Sequence, residues 1–213
     1  MRSSGRAVLA TWTALVLRCV TAVSAESLFE QQALRLSAGD RILVLAPHPD
    51  DETIGCGGVI QRARASGLPV RVVFLTYGDG NEWSFTVYRK HPVMLPSGVR
   101  RMGEIRRDEA LQAAKALGLL DSDLVFLGYP DFGCLAIWCR HWGTETPLRG
   151  ILNAASAVPY ADAFRPGSPY KGEEVVRDIK SVIRDFRPTK VFVSHPADHN
   201  PDHQAFYLFT TVA

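Results

Sequence analysis

The sequence lacks the features by which proteins bind nucleic acids or nucleotides. Its 24 lysine and arginine residues and 22 aspartate and glutamate residues leave a net charge of only +2, and the basic residues are scattered. A phosphate backbone is bound by clustered positive charge, so no nucleic-acid partner is expected. The first apolar run is followed by His-Pro-Asp-Asp instead of a glycine fingerprint, and carboxylates at that position would repel a pyrophosphate.

Long hydrophobic runs are also lacking. The apolar stretch at residues 7–17 is too short to span a bilayer comfortably, so no integral membrane span is expected in the mature protein. It follows a basic start and precedes small residues at 23–25, a pattern typical of a signal peptide. Residues 1–25 therefore predict export, to the periplasm, the secretory pathway or the medium. Residues 26–213 form one predicted domain, and we expect its fold to continue beyond Ala213.

Cysteine is scarce. Beyond the predicted leader the chain contains Cys56, Cys134 and Cys139, with no second ligand pair that could form a zinc finger. Cys134 and Cys139 lie five positions apart. A local disulfide in an oxidising compartment and buried single cysteines are both compatible with this spacing.

What the sequence does contain is an alternation of short apolar runs with helical patterns. Apolar runs without polar alternation are typical of parallel strands buried on both faces. The strands are predicted at residues 41–46, 70–77, 124–127 and 189–194, and the helices at 51–66, 99–119, 172–186 and from about 201. This order predicts an α/β fold, a Rossmann-like doubly wound and mostly parallel sheet with helices on both faces.

The segment 132–169 has no clear periodicity, and loops of that length are unusual unless they are functional. It contains Trp138 and Trp142, whose aromatic faces offer flat apolar partners for sugar rings. The alternative is that both tryptophans only anchor the loop to the core. The sequence leaves both interpretations open.

Two polar clusters follow predicted strands at the same edge of the sheet. Residues 48–52 follow the first strand and residues 195–203 follow the fourth, while Asp131 follows the third. Ligands of open α/β sheets collect at the carboxyl ends of the strands. The predicted fold therefore brings together polar residues about 150 positions apart in the sequence.

These clusters favour a metal site. His48 and Asp51 lie three positions apart with Pro49 between them, so that an imidazole and a carboxylate can bind one divalent cation. His203 would complete a set of three ligands that leaves positions open for water, as in catalytic sites. Asp50 lies between the two near ligands, points elsewhere, and is the candidate general base. An isolated His-Pro-Asp-Asp would instead indicate a surface turn with a helix cap.

The segment Pro-His-Pro-Asp-Asp-Glu at 47–52, together with Asn-Pro-Asp-His at 200–203, resembles the LmbE/PIG-L-type N-acetylglucosaminyl deacetylases. Arg-Arg-Asp-Glu at 106–109, with Leu-Gly at 117–118, is similar to the family's Arg-x-x-Glu helix. Gly-Tyr-Pro-Asp at 128–131 is similar to its Gly-x-x-Asp turn. The resemblance covers residues 40–213 and implies a zinc-dependent enzyme that removes N-acetyl groups from an amino sugar or glycoconjugate substrate.

The resemblance implies the ligand set that the spacing also gives: His48, Asp51 and His203 bind Zn²⁺ and Asp50 is the general base. Another divalent metal is the alternative. Zinc would polarise the acetamide carbonyl and activate the attacking water. Arg106 and Asp131 match positions that contact sugar hydroxyls in the family. Their ordinary alternatives are a surface salt bridge and a turn aspartate.

Four further polar residues lie around His203. His195, His199 and Asp202 are candidates for orienting the metal ligands. For Asp198 we expect solvation in the loop instead.

The sequence departs from the family at Asn200, because the closing motif there is usually His-Pro-Asp-His. An asparagine can donate a hydrogen bond to an oxyanion but cannot act as a titrating acid. Either His199 or His195 supplies the proton to the leaving amine, or Asp50 carries it, or the enzyme is weakened. The competing functions are a carbohydrate-binding surface protein with a relic metal site and a zinc amidohydrolase acting on another small amide.

Overall fold

The computed structural model describes residues 34–80 and 95–213. The chain separates into two units, Met1–Ser37 and Ala38–Ala213. In the first unit, residues 34–37 are described and have no regular secondary structure. The predicted signal peptide at 1–25 lies outside the described residues, so export remains a prediction. None of the described helices is both long enough and apolar enough to cross a membrane.

The second unit is built on a sheet of four parallel strands. They are β1 (Ile42–Ala46), β2 (Val70–Thr76), β3 (Leu124–Tyr129) and β4 (Lys190–Phe192), in the order β3-β2-β1-β4. All five residues of β1 are buried. Because successive strand residues point to opposite faces, both faces of the sheet are covered at β1. The predicted α/β fold with a parallel sheet is confirmed.

Five α-helices accompany the strands in the described residues. They are α1 (Asp51–Ala65), α2 (Pro96–Ala116), α3 (Cys134–Arg140), α4 (Gly172–Phe186) and α5 (Pro201–Val212), with a short 3-10 helix at Asp121–Asp123. The prediction for α4 matches its bounds, and α5 begins at the expected proline. Helix α2 begins three residues earlier than predicted, at Pro96, because proline is well suited to the first turn of a helix.

Strand β4 differs from its prediction. The sequence predicts a buried strand at 189–194, whereas β4 has three residues and Val191 is 43% exposed. The reason is its position at the end of the strand order, where it pairs with β1 alone. An apolar run does not reveal whether a strand has one neighbour or two.

The described cysteines form no disulfide. Cys134 is buried and Cys139 exposed at opposite ends of the short helix α3, and Cys56 is half-buried in α1. The thiol of Cys134 donates to the carbonyl oxygen of Pro130 at 3.4 Å. Of the two interpretations of the Cys134 and Cys139 spacing, the structure therefore shows single cysteines.

The strand order determines where a ligand site can form. The chain leaves β1 toward β2 and β3 on one side and later returns to β4 on the other side of β1. Between β1 and β4 the direction of winding reverses, and open α/β sheets bind ligands in the crevice at that point. His48 follows β1 and His203 lies in the first turn of α5 after β4. Both therefore lie at this crevice.

Candidate metal centre and pocket

The turn between β1 and α1 forms the first half of the site. The backbone N–H and hydroxyl of Thr76 both donate to the carbonyl oxygen of Pro47, at 3.1 and 3.2 Å, and so attach the turn to β2. Asp50 has a φ of 129°, which L residues rarely adopt. Its backbone N–H donates to the buried carboxylate of Glu52 at 3.0 Å. Glu52 thereby holds the strained backbone, and the Asp50 side chain is left to line a pocket.

Three predicted ligands converge at one point. The Nδ1 atom of His48 lies 3.3 Å from Asp51 Oδ2 and 3.3 Å from His203 Nε2. The third edge of this triangle, from His203 Nε2 to Asp51 Oδ2, is 3.2 Å. His48 and His203 are 155 positions apart in the sequence. The fold therefore brings two imidazole nitrogens and one carboxylate oxygen together, as predicted.

Each imidazole has one ring nitrogen in the triangle (the inner nitrogen) and one that points away from it (the outer nitrogen). Each outer nitrogen faces a carboxylate. His48 Nε2 lies 3.4 Å from Asp202 Oδ2, and His203 Nδ1 lies 2.9 Å from Asp198 Oδ2. A carboxylate acceptor favours the tautomer that carries its proton on that outer nitrogen, so the inner nitrogen presents a lone pair. Asp202 was predicted to orient a ligand. Asp198 was predicted to be solvated in the loop, and that prediction is wrong.

The electrostatics of the cluster favour positive charge between its members. Burial lowers the pKa of His48, but hydrogen bonds to Asp202 and Asp51 outweigh burial and raise it to about 10. Burial raises the pKa of Asp51, but hydrogen bonds from His203 and His48 bring it below its usual range. Burial of His203 is likewise outweighed by Asp51 and Asp198, which raise its pKa. A proton or a cation satisfies these same acceptor atoms.

The donor set fits a divalent cation such as zinc. Ligand atoms at tetrahedral positions about 2.0–2.1 Å from zinc lie about 3.3–3.4 Å apart, close to the edges of the triangle. Two lone-pair nitrogens facing each other at 3.3 Å would repel without a positive charge between them. A second cluster, formed by His48, Asp131 and Asp202, also has its ligand atoms close enough together to hold a metal ion. Asp202 is less available there, because it also accepts backbone hydrogen bonds from Phe132 and Cys134.

Asp50 lies outside the triangle and faces the pocket. Its Oδ2 atom accepts a hydrogen bond from Arg106 Nη2 at 3.0 Å, and the side chain is 53% exposed. The same Arg106 nitrogen donates to the carbonyl oxygen of Pro49. Arg106, which the resemblance assigns to sugar hydroxyls, is therefore engaged with the turn that carries Asp50. No described residue donates to the other Asp50 oxygen, Oδ1.

Asp131 lines the pocket with a buried carboxyl group. Its Oδ2 atom accepts the backbone N–H of Gly80 at 2.7 Å, whereas Oδ1 is buried without a hydrogen-bond partner among the described residues. Burial raises the pKa of Asp131, and the charge of His48 partly opposes this. Buried polar atoms without partners are rare in native proteins. Because Oδ1 has almost no accessible surface, a ligand hydroxyl would reach it only if the carboxyl group turned toward the pocket.

Asn200 lines the pocket from the second half of the site. Its side-chain oxygen accepts the backbone N–H of Asp202 at 2.9 Å, so Asn200 is the N-cap of α5. Because the cap uses only the side-chain oxygen, the amide nitrogen of Asn200 can still donate hydrogen bonds. His195 and His199 are exposed and do not line the pocket, and His195 accepts the backbone N–H of Ala197 at 3.1 Å.

The pocket has a volume of about 320 Å³, in the range of small-molecule sites. Its lining residues are His48, Asp50, Gly78, Gly80, Arg106, Asp131, Phe132 and Asn200. Sequence reasoning did not single out Phe132. Trp138 and Trp142 lie elsewhere, with ring centroids 5.1 and 5.9 Å from that of Phe209 in α5. They anchor the loop to the core, the second of the two interpretations.

Comparisons with known proteins found a matching family profile, related sequences and related structures. The sequence profile of the PIG-L family, described as GlcNAc-PI de-N-acetylase, matches residues 43–213. The chain is similar to a 1D-myo-inositol 2-acetamido-2-deoxy-alpha-D-glucopyranoside deacetylase of Saccharopolyspora erythraea. The two are 32% identical over 193 residues, which cover 84% of this chain and 55% of that protein. The chain spans about half the length of the curated relatives it matches.

Two solved structures share the fold. The N,N'-diacetylchitobiose deacetylase of Pyrococcus horikoshii matches with a TM-score of 0.53 and 21% identity, over 98% of this chain and 58% of that one. GalB, the 4-carboxy-2-hydroxymuconate hydratase of Pseudomonas putida KT2440, matches with a TM-score of 0.54 and 21% identity, over 81% and 55%. A deacetylase and a hydratase share this fold, so the fold alone does not determine the reaction.

Proposed function

The chain belongs to the PIG-L family, and on that basis we propose that it is a metal-dependent hydrolase that removes the acetyl group from an N-acetylglucosamine-type sugar or glycoconjugate. The observation that carries the proposal is the triangle of His48, Asp51 and His203 beside a pocket lined by Asp50. Family relatives whose names specify 2-acetamido-2-deoxyglucopyranoside substrates support the substrate class. The two histidines and one carboxylate fit zinc as the cofactor, with another divalent cation as the alternative.

A zinc ion bound here would polarise the acetamide carbonyl and lower the pKa of a water molecule. Asp50 acts as the general base, because Arg106 holds its Oδ2 atom and leaves Oδ1 to accept a proton from the attacking water. As the carbon–nitrogen bond breaks, the leaving nitrogen needs a proton. His195 and His199 do not line the pocket, so we assign this transfer to Asp50. The products are acetate and the free amine.

Asn200 and Asp131 act on the substrate's polar groups. The Asn200 oxygen is occupied by the N-cap of α5, which leaves the amide N–H groups to donate to the carbonyl oxygen as it gains negative charge. Asp131 lines the pocket, and its carboxyl group accepts a sugar hydroxyl once it turns toward the substrate and so positions the ring. Asp202 and Asp198 hold the imidazoles of His48 and His203 in the orientation that metal binding requires.

The test is acetate release from a panel of N-acetylated amino sugars and one open-chain N-acetyl amide, using Asp50→Asn. We expect the variant to keep one zinc per chain and to lose about 10²–10⁴-fold in the rate of acetate release, the usual contribution of a general base. Asp121→Asn, an exposed carboxylate outside the pocket, is the matched control and retains the wild-type rate.

Three results would count against the proposal. Zinc binding without acetate release from any substrate favours a relic metal site. Release from the open-chain amide alone favours the other amidohydrolase. A wild-type rate in Asp50→Asn removes Asp50 from the mechanism.

A further inference from the structure

Phe132 is an exposed aromatic residue in the wall of the pocket. Its side chain is 54% exposed, although large apolar side chains are usually buried. The other side chains that line the described pocket are polar or charged, and Gly78 and Gly80 contribute backbone. The Phe132 ring is therefore the one apolar side chain of this wall.

The backbone of Phe132 is strained as well. Its φ of 57° lies in the left-handed region, which favours glycine and is costly for a residue with a bulky side chain. Glycine at this position would remove both the strain and the exposed apolar surface. Neither the left-handed backbone of Phe132 nor the exposed surface of its ring stabilises the folded protein. Strained residues of this kind are concentrated at functional sites.

The surroundings of Phe132 hold its ring in a defined place. The backbone N–H of Phe132 donates to Asp202 Oδ2 at 2.6 Å, and Asp202 also faces the outer nitrogen of His48. A side-chain carbon on Gly80 would lie 2.8 Å from Phe132 Cε2, so the glycine provides the room that the ring occupies. The aromatic ring is thus positioned relative to the candidate metal ligands.

We propose that the Phe132 ring is the platform on which the C–H face of a pyranose stacks, so that the pocket selects N-acetylated amino sugars over open-chain N-acetyl amides. A pyranose carries hydroxyl groups around its rim and C–H groups on its faces. The pocket complements it, with one aromatic face among the polar groups of Asp50, Asp131 and Asn200. This inference rests on the proposed function and specifies its substrate class.

The first experiment measures binding without turnover. The probe is the methyl glycoside of glucosamine, titrated calorimetrically into the zinc-loaded wild type and into Phe132→Gly, Phe132→Leu and Phe132→Tyr. We expect Phe132→Gly to bind about tenfold more weakly, while its melting temperature stays equal or rises because the strain is relieved. Phe132→Tyr retains a flat ring and the wild-type affinity. Phe132→Leu is apolar without a flat face, and its affinity falls.

The second experiment separates sugar recognition from chemistry. Phe132→Gly is expected to raise KM for the methyl glycoside of N-acetylglucosamine and leave kcat unchanged, because stacking acts equally on the ground state and transition state. Its kcat/KM for the open-chain amide N-acetylethanolamine should fall less, so that the ratio of the sugar kcat/KM to the open-chain kcat/KM drops about tenfold.

Unchanged sugar affinity in Phe132→Gly and Phe132→Leu would overturn the inference. A large fall in the melting temperature of Phe132→Gly would also overturn it, since the ring would then be a packing residue. Sugar binding that depends on Phe132 without acetate release would contradict the proposed function and leave this inference intact. Acetate release from the sugar that is unchanged in Phe132→Gly would contradict this inference and leave the proposed function intact.

Discussion

Two aspartates orient the candidate metal ligands, and the sequence distinguished them poorly. Asp202 lies one residue before His203 but faces His48, while Asp198 lies five residues before His203 and faces its ring. Residue types and spacing predicted the three candidate ligands, because the His-Pro-Asp-Asp turn fixes two of them locally. The partner of an outer imidazole nitrogen depends on how the loop folds onto the first turn of α5. That geometry has no sequence pattern, which is why Asp198 was missed.

Replacing Asp198 tests this orientation. In Asp198→Asn the ring of His203 loses its carboxylate acceptor, and we expect zinc affinity to fall about 10–100-fold. Competition with a chromogenic chelator measures the affinity, and Asp121→Asn serves as the control because it is exposed and outside the pocket. Equal zinc affinity in Asp198→Asn and wild type would remove Asp198 from the site.

Asn200 shows why a departure from a family motif need not abolish a site. An asparagine is among the best N-cap residues, and the Asn200 oxygen caps α5 by accepting the N–H of Asp202. This cap fixes the helix turn that presents both Asp202 and His203. At position 200 the titratable histidine of the family motif is therefore replaced by an amide donor that the helix cap holds in place. The sequence revealed the exchange, but the capping bond required the structure.

At the scale of elements, the loop after β2 is held by a buried polar network. Asp79 is 2% exposed, and its Oδ2 atom accepts hydrogen bonds from Tyr160 at 2.6 Å and Asn153 at 3.2 Å. Asp79 lies between Gly78 and Gly80, which line the pocket, so the network connects the pocket wall to the long segment that precedes α4. The sequence predicted a strand at residues 70–77, whereas the network after it was not predicted.

This network predicts a pH dependence of stability. Burial and the neighbouring charge of Asp131 raise the pKa of Asp79 to about 7, against the hydrogen bonds from Tyr160 and Asn153. In the unfolded chain an aspartate titrates near pH 3.9, as is usual. The folded protein therefore retains a proton that the unfolded chain has released. The stability from this proton is fully present below about pH 4 and is lost as the pH rises through about 7.

Asp79→Asn removes the titrating group. We expect its free energy of unfolding to fall less between pH 5 and 8 than that of the wild type, by on the order of a few kcal/mol. Urea unfolding at several pH values measures the difference. Parallel curves for the two proteins would show that Asp79 does not titrate in this window.

The elements themselves were predicted best where local patterns decide them. Helix α4 ends at Phe186, before Arg187 in the left-handed conformation and Pro188, and the breaking residues are visible in the sequence. Strand β4 was predicted too long and too buried, because its exposure depends on its place in the sheet. Helix α3 was missed inside the segment 132–169, since seven residues give too short a period to recognise.

In the whole molecule, the candidate metal centre lies between β1 and β4, where the direction of winding of the sheet reverses. Its ligands come from the turn after β1 and from the helix after β4, 155 positions apart in sequence. The alternation of strands and helices was enough to predict that these regions meet. The strand order β3-β2-β1-β4 shows the physical reason, since it places β1 and β4 side by side.

A metal that bridges these regions stabilises the folded chain. At a zinc concentration about 100-fold above Kd, binding contributes about 2.7 kcal/mol, which corresponds to a rise of roughly 5–10 °C in melting temperature for a domain of this size. His203→Ala should show no rise. His141→Ala, which lies outside the pocket, should show the full rise. A zinc-induced rise that survives His203→Ala would place the metal elsewhere.

The most direct test of metal-dependent deacetylation is acetate release from an N-acetylated amino sugar by one preparation in three states: as purified, after chelation and dialysis, and after one equivalent of zinc is restored. We predict that release stops on chelation and returns with zinc, since the His48, Asp51 and His203 triangle can supply three ligands and leave a position for water. Undiminished release from the metal-depleted protein would contradict it.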